Sequence, residues 1–176
     1  MQILRIMAVT LLITLGSVAT AQESGSYVLG PGDRIAITVF GQTDLSMEFT
    51  LSDAGTRNYP FLGEIVIAGM TLPRLEQRIA DGLRGDYLIN PDVSVSITQY
   101  RLFFINGEVN RPGGYPYQPG LTLEKALALA GGLGPRAATD EIVVKRASKA
   151  LSAAVAIEMS EAVHAGDVID VPQSFF

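Results

Sequence analysis

Between Arg34 and Val39, apolar Ile35, Ile37 and Val39 alternate with Arg34, Ala36 and Thr38, the period of a half-buried strand. The Gly30-Pro31-Gly32-Asp33 turn stands directly before it, and Asp53-Ala54-Gly55 marks a second turn farther along. Phe49-Thr50-Leu51 leads into that second turn. A short strand is expected to run out of it into Tyr59-Pro60-Phe61-Leu62-Gly63, with another at Ile65-Val66-Ile67 closed by Gly69. At Thr71 the period lengthens: Leu72, Leu75, Ile79 and Leu83 fall at helical spacing, with Arg74, Glu76, Gln77, Arg78 and Asp81 on the other face. Thr71 suits an N-cap, and Pro73 fits the first turn, where its missing N–H would go unpaired anyway. The polar face mixes both signs, which predicts solvation rather than binding. After the Asn90-Pro91 turn, Val93, Val95 and Ile97 alternate with Asp92, Ser94, Ser96 and Thr98, the clearest strand pattern in the chain.

A boundary near Tyr100 separates this segment from a second of similar plan. Leu102-Phe103-Phe104-Ile105 opens it, a turn covers Asn110 to Gly114, Tyr115-Pro116-Tyr117 resumes the extended chain, and a helix starts at Thr122. Leu123, Ala126, Leu127 and Ala130 form its apolar face, and Gly131-Gly132 stops it, one of the two in the left-handed conformation that glycine adopts cheaply. Further strands are expected at Ile142-Val143-Val144 and at Ala153 to Ile157. The closing Gly166-Asp167-Val168-Ile169-Asp170-Val171 repeats the earlier device, a Gly-Asp turn feeding a strand. The fold class that follows is α+β, with two small domains at 22–100 and 101–173 and a tail at 174–176.

Residues 1–21 carry a separate pattern. Arg5 gives a positive start, Ile6 to Val18 is an apolar run, and Ala19-Thr20-Ala21 has the small-x-small form that a signal peptidase cuts. The run is shorter than the ~20 residues of a spanning helix, so a cleaved leader and export are expected. Removing Arg5 takes the formal charge from −5 to −6, because the leader holds no acidic residue. An acidic chain with thinly spread Lys and Arg argues against a nucleic-acid partner. The chain contains no Cys, which excludes disulfides, thiolate metal sites and a lipid anchor through an N-terminal Cys.

Between Phe104 and Leu133 there is no His, Cys or Ser to serve as nucleophile or metal ligand. His164, the chain's single His, lacks identifiable catalytic partners and is expected at a surface or capping position. Asp33 and Asp167 have the residue type of a glycosidase pair, but both sit in Gly-Asp turns, where an Asp side chain bonds the nearby backbone. No catalytic residue, cofactor or metal is assigned.

Seven motifs in order resemble the bacterial polysaccharide export proteins of capsule and exopolysaccharide translocons. They are Tyr27-Val28-Leu29-Gly30-Pro31-Gly32-Asp33, Asp53-Ala54-Gly55 with Pro60-Phe61-Leu62-Gly63, Ala68-Gly69-Met70-Thr71-Leu72, Pro91-Asp92-Val93-Ser94-Val95, Gly107-Glu108-Val109-Asn110-Arg111-Pro112-Gly113, Ala130-Gly131-Gly132, and Gly166 to Pro172. The resemblance implies a polysaccharide export domain followed by a soluble-ligand-binding β-grasp domain, packed into homo-oligomeric rings that pass a sugar polymer without cleaving it. It also implies an inner-membrane polysaccharide co-polymerase, with a possible tyrosine kinase, and an outer-membrane exit as partners. Longer members add a C-terminal pore helix. The four residues after Pro172 do not supply one, so a separate outer-membrane β-barrel channel is expected. Arg111, Tyr115 and Tyr117 are the candidates for contact with polymer or with a neighbouring subunit, the alternative for the tyrosines being packing within the fold. A monomeric periplasmic glycan-binding protein is the second reading. A polymer-trimming enzyme is disfavoured by the missing catalytic constellation.

Overall fold

The computed structural model describes residues 27–147 and 154–174, so the leader, Ala153 and Phe175-Phe176 lie outside the described residues. The first half builds a three-stranded antiparallel sheet around β1 (Arg34–Val39), with β2 (Met47–Thr50) on one side and β5 (Val93–Gln99) on the other. The period-two pattern fixes the register: Ile35 faces Ile97, Ile37 faces Val95 and Val39 faces Val93, and all three β1 side chains are buried. A 3-10 turn at Thr43–Leu45, which the pattern did not announce, turns the chain from β1 towards β2 and buries Leu45.

A hairpin of β3 (Thr56–Tyr59) and β4 (Gly63–Val66) follows. Tyr59-Pro60-Phe61-Leu62-Gly63 is therefore not the body of a strand. Tyr59 ends one strand, Gly63 begins the next, and Pro60, which has no N–H for a ladder, lies in the turn between them. Helix α1 (Leu72–Leu83) buries Leu75, Ile79 and Leu83, with Pro73 in its first turn. Thr71 occupies the N-cap position in extended conformation, but its hydroxyl makes no capping bond. Nor is the polar face wholly solvated, because a Glu76 carboxylate oxygen accepts the Val95 N–H at 2.8 Å and ties α1 to β5.

The second half is a five-stranded mixed sheet of β6 (Leu102–Gly107), β7 (Gly113–Pro116), β8 (Val143–Lys145), β9 (Val155–Ala156) and β10 (Val168–Val171), in the order β7-β6-β10-β8-β9. The last strand thus inserts at the centre, parallel to β6 and antiparallel to β8. This crossing requires Gly107, since a Cβ there would come within 2.0 Å of the Val171 carbonyl oxygen at a φ of +87°. Helix α2 (Leu123–Leu129) covers the core with Leu123, Ala126 and Leu127, and the Thr122 hydroxyl accepts the Lys125 N–H at its start. Both Gly131 and Gly132, not one of them, take positive φ at its end. Strand β7 begins at Gly113, inside the expected turn.

Two apolar clusters result. One gathers buried residues from Leu29 to Val95, the other from Phe103 to Val171, and the chain passes from the first to the second at Tyr100 and Arg101.

Candidate functional site

The two Gly-Asp turns are built alike. Asp33 is fully buried, and its Oδ2 accepts the Gly30 N–H and an Arg101 Nη1–H, each at 2.8 Å. Asp167 is 1% exposed, and its Oδ2 accepts the His164 N–H at 2.9 Å and an Arg146 Nη1–H at 2.8 Å. The second oxygens match too: Asp33 Oδ1 accepts the Arg101 N–H, and Asp167 Oδ1 accepts the Ala147 N–H. In each case the strand after the Asp pairs antiparallel with a strand that closes just before the arginine, β5 before Arg101 and β8 before Arg146. A carboxylate this deeply buried is tolerated because both of its oxygens meet donors and its charge meets a guanidinium. The side chains organise their turns, as the sequence pattern predicts, and their oxygens are spent on protein donors rather than aimed at a substrate bond.

Arg101 does more than close its own turn. Its Nε donates to the Ala165 carbonyl at 3.2 Å and its Nη1 to the Val28 carbonyl at 3.4 Å, so one guanidinium joins the turn before β1 to the turn before β10. Around it lies a cluster of three tyrosines. Tyr27 meets Tyr100 edge-on at 5.0 Å between ring centroids, Tyr100 meets Tyr117 edge-on at 5.4 Å, and Tyr27 stacks with Tyr117 at 6.2 Å. The Arg101 guanidinium carbon lies 5.5 Å from the Tyr27 ring centre. The Tyr27 hydroxyl donates to Asp33 at 2.7 Å, and burial together with that bond to a carboxylate pushes its phenol well above the ordinary range. Tyr117 is pushed up as well, first by burial and then by the nearby Tyr100 and Asp167.

Arg111 and Tyr115 come together elsewhere, at the C-terminal end of α2. Arg111 is exposed, and its Nη2 donates to the Leu129 carbonyl at 2.9 Å while its backbone N–H reaches Ala130. The Tyr115 hydroxyl donates to the Arg111 carbonyl, and its ring packs near Phe103. A cation over the last carbonyls of a helix is favourable, so Arg111 has a capping role besides its exposure. Tyr117 stands apart from this pair, in the tyrosine cluster.

The His164 side chain is exposed, and its Nδ1 lies 3.1 Å from Arg146 Nη1. Arg146 in turn pairs with Glu161 at 2.6 Å. An open cleft between Thr139-Asp140 and Ile157-Met159 is rimmed by Asp140, Glu158 and Glu161. Among the described residues no three acidic or His side chains are grouped to hold a metal ion.

Arg101 escaped sequence reading. Its signal was the arginine that follows a strand in both halves, Arg101 after β5 and Arg146 after β8, in step with the repeated Gly-Asp pair.

Comparison with known families gives these halves an identity. The profile of the family described as "Polysaccharide biosynthesis/export protein" matches residues 21–98, and that of the SLBB domain matches residues 102–155. The chain belongs to the bacterial polysaccharide export protein family. The two matches leave residues 99–101 between them, so Tyr100 and Arg101 fall at the seam. This export-family chain is similar to the exopolysaccharide production protein ExoF of Rhizobium meliloti (strain 1021), with 31% identity over 141 residues, covering 70% of this chain and 34% of ExoF. It is also similar to the polysialic acid transport protein KpsD of Escherichia coli, with 29% identity over 137 residues, covering 76% of this chain and 25% of KpsD. The chain thus spans about a third or less of the length of these relatives.

Proposed function

We propose that this protein is a non-catalytic periplasmic component of a polysaccharide export machine, a homo-oligomeric ring or adaptor that passes polymer toward an outer-membrane channel supplied by another protein. The observation that carries this proposal is the ordered match of both family profiles along one chain, together with relatives whose names are exopolysaccharide production and polysialic acid transport. Residues 22–100 act as the export domain and 101–173 as the ligand-binding β-grasp domain, after a leader over 1–21. An inner-membrane co-polymerase, with a possible tyrosine kinase, delivers the polymer. The engagement of both oxygens of Asp33 and of Asp167 by protein donors favours a scaffold over a hydrolase, since a glycosidase needs two carboxyl groups free to face one glycosidic bond.

Two measurements on the purified mature chain test this. Incubated with the polysaccharide of its own host, the protein is expected to leave the polymer's chain length unchanged. Shortened chains would make it an enzyme. Light scattering across a concentration series is expected to give a mass of several subunits, whereas a strict monomer at every concentration would favour a monomeric glycan-binding protein.

A further inference from the structure

The tip of the β3–β4 hairpin is a turn closed by the Leu62 N–H on the Tyr59 carbonyl at 3.2 Å, and its third position, which calls for positive φ, is filled by Phe61 rather than by glycine. Phe61 has a φ of +66° and is the one non-glycine residue with positive φ among the described residues. A bulky side chain rarely accepts that conformation, and such outliers concentrate where a side chain is held for use. Burial does not offset the strain, because Phe61 is 63% exposed.

Its neighbours hold it in place. Leu62 turns inward onto α1, so close that a Cβ at Gly82 would come within 2.8 Å of its Cδ2. Phe61 faces outward and stacks on Tyr87, with ring centres 4.6 Å apart and planes 26° from parallel. Tyr87 comes from the segment after α1, fixed by its N–H to the Leu83 carbonyl, and is itself 46% exposed. The two rings are thus held from separate elements. Asp81 and Arg84 pair in the last turn of the same helix, and Asp86 is exposed beside Tyr87.

We propose that the Phe61–Tyr87 pair binds pyranose rings of the polysaccharide, an inference that rests on the export role proposed above. The apolar C–H face of a pyranose lies flat on an aromatic ring, and polar side chains at the edge meet its hydroxyls. Two half-exposed rings offer far less than the ~800 Å² per partner that a stable protein interface buries, which favours a sugar over a second copy of the chain. A small open platform also suits a polymer that must move on after each contact.

The test is electrophoresis of the purified mature protein through gels containing polysaccharide from the host's culture medium. Wild type is expected to be retarded. Phe61→Gly removes the ring and the strain together, since glycine is at ease with positive φ. It is expected to weaken retention about fivefold while the melting temperature stays within about 3 °C of wild type. Tyr87→Leu is expected to weaken retention about twofold, and Phe61→Tyr to preserve it. Undiminished retention of Phe61→Gly would overturn the proposal. So would a fall in melting temperature of about 10 °C, which would make the ring a structural element, or loss of an oligomer with retention intact, which would assign the patch to a second copy. A wild-type chain that is not retarded, from a gene whose loss abolishes external polymer, would overturn the contact and leave the export role standing. Retention lost in Phe61→Gly, with external polymer unaffected by gene loss, would keep the contact and remove the export role.

Discussion

Asp33 and Asp167 sit in matching turns and take matching bonds, yet their arginines reach differently. Arg146 stays within its own half, shared among Asp167, Glu161 and the Ala162 carbonyl. Arg101 spans both halves: it holds Asp33 on one side of the seam and the Ala165 carbonyl on the other. The same buried carboxylate therefore closes a local turn in one place and fastens two halves together in the other. The difference lies in where the arginine enters. Arg146 lies within the second half's own sheet segment, whereas Arg101 occupies the short link between β5 and β6 and has both halves within reach.

The sharpest way to break this comparison is to remove each carboxylate. Asp33→Ala strands the Tyr27 hydroxyl, two backbone N–H groups and the Arg101 charge, and is expected to cost about 4 kcal/mol in urea unfolding. Asp167→Ala should cost about 2 kcal/mol, because Arg146 retains Glu161 as a partner. Equal losses would mean that the bridging role of Arg101 adds nothing.

Alkaline pH probes the same asymmetry, since the first half holds the phenols pushed furthest up. Tyr59, buried and donating to the Leu45 carbonyl at 2.7 Å, is raised to about 12 by burial, and Tyr27 is raised further. A raised folded-state value means that the native state keeps its proton after the unfolded chain, with a tyrosine value near ~10, has lost it. The stabilisation is complete below about pH 10 and disappears as pH rises through about 12, a loss of about 3 kcal/mol from Tyr59 alone. Unfolding midpoints measured from pH 9 to about pH 12 should fall accordingly, and Tyr27→Phe should make the fall shallower. A flat profile would remove the burial argument.

Tyr117→Ala takes from the seam its aromatic partner on the second half, and about 2 kcal/mol of stability should go with it. Arg34→Ala, by contrast, removes an exposed pair with Glu48 whose side chains are 50% and 44% accessible, and should change the unfolding midpoint by about 0.5 kcal/mol or less. A larger effect there than at Tyr117 would invert the ranking of seam over surface.

Local patterns made much of this fold legible. Ile35, Ile37 and Val39 announced β1, Leu75, Ile79 and Leu83 announced the buried face of α1, and the paired Gly-Asp turns announced that the two halves share a plan. The strand expected to enter Tyr59 to Gly63 is β3, which ends at Tyr59, but the reversal made by Pro60 and two positive-φ residues, Phe61 and Gly63, was not announced. The insertion of β10 between β6 and β8 is a long-range pairing, and no local periodicity encodes which strand becomes central. Arg101 was illegible for the same reason, since its carboxylate lies 68 residues away. The residues chosen for sugar or subunit contact, Arg111, Tyr115 and Tyr117, proved to occupy a helix end and the seam. Phe61 was visible only as a letter of a motif until its backbone angle and its stack on Tyr87 were known.

The proposed role in moving polysaccharide out of the periplasm is tested by deleting the gene in its host and measuring polymer at the cell surface, in the medium and in the periplasm. Polymer is expected to be lost from outside the cell and restored by the intact gene but not by a copy lacking Met1 to Ala21. Unchanged surface and secreted polymer would contradict it.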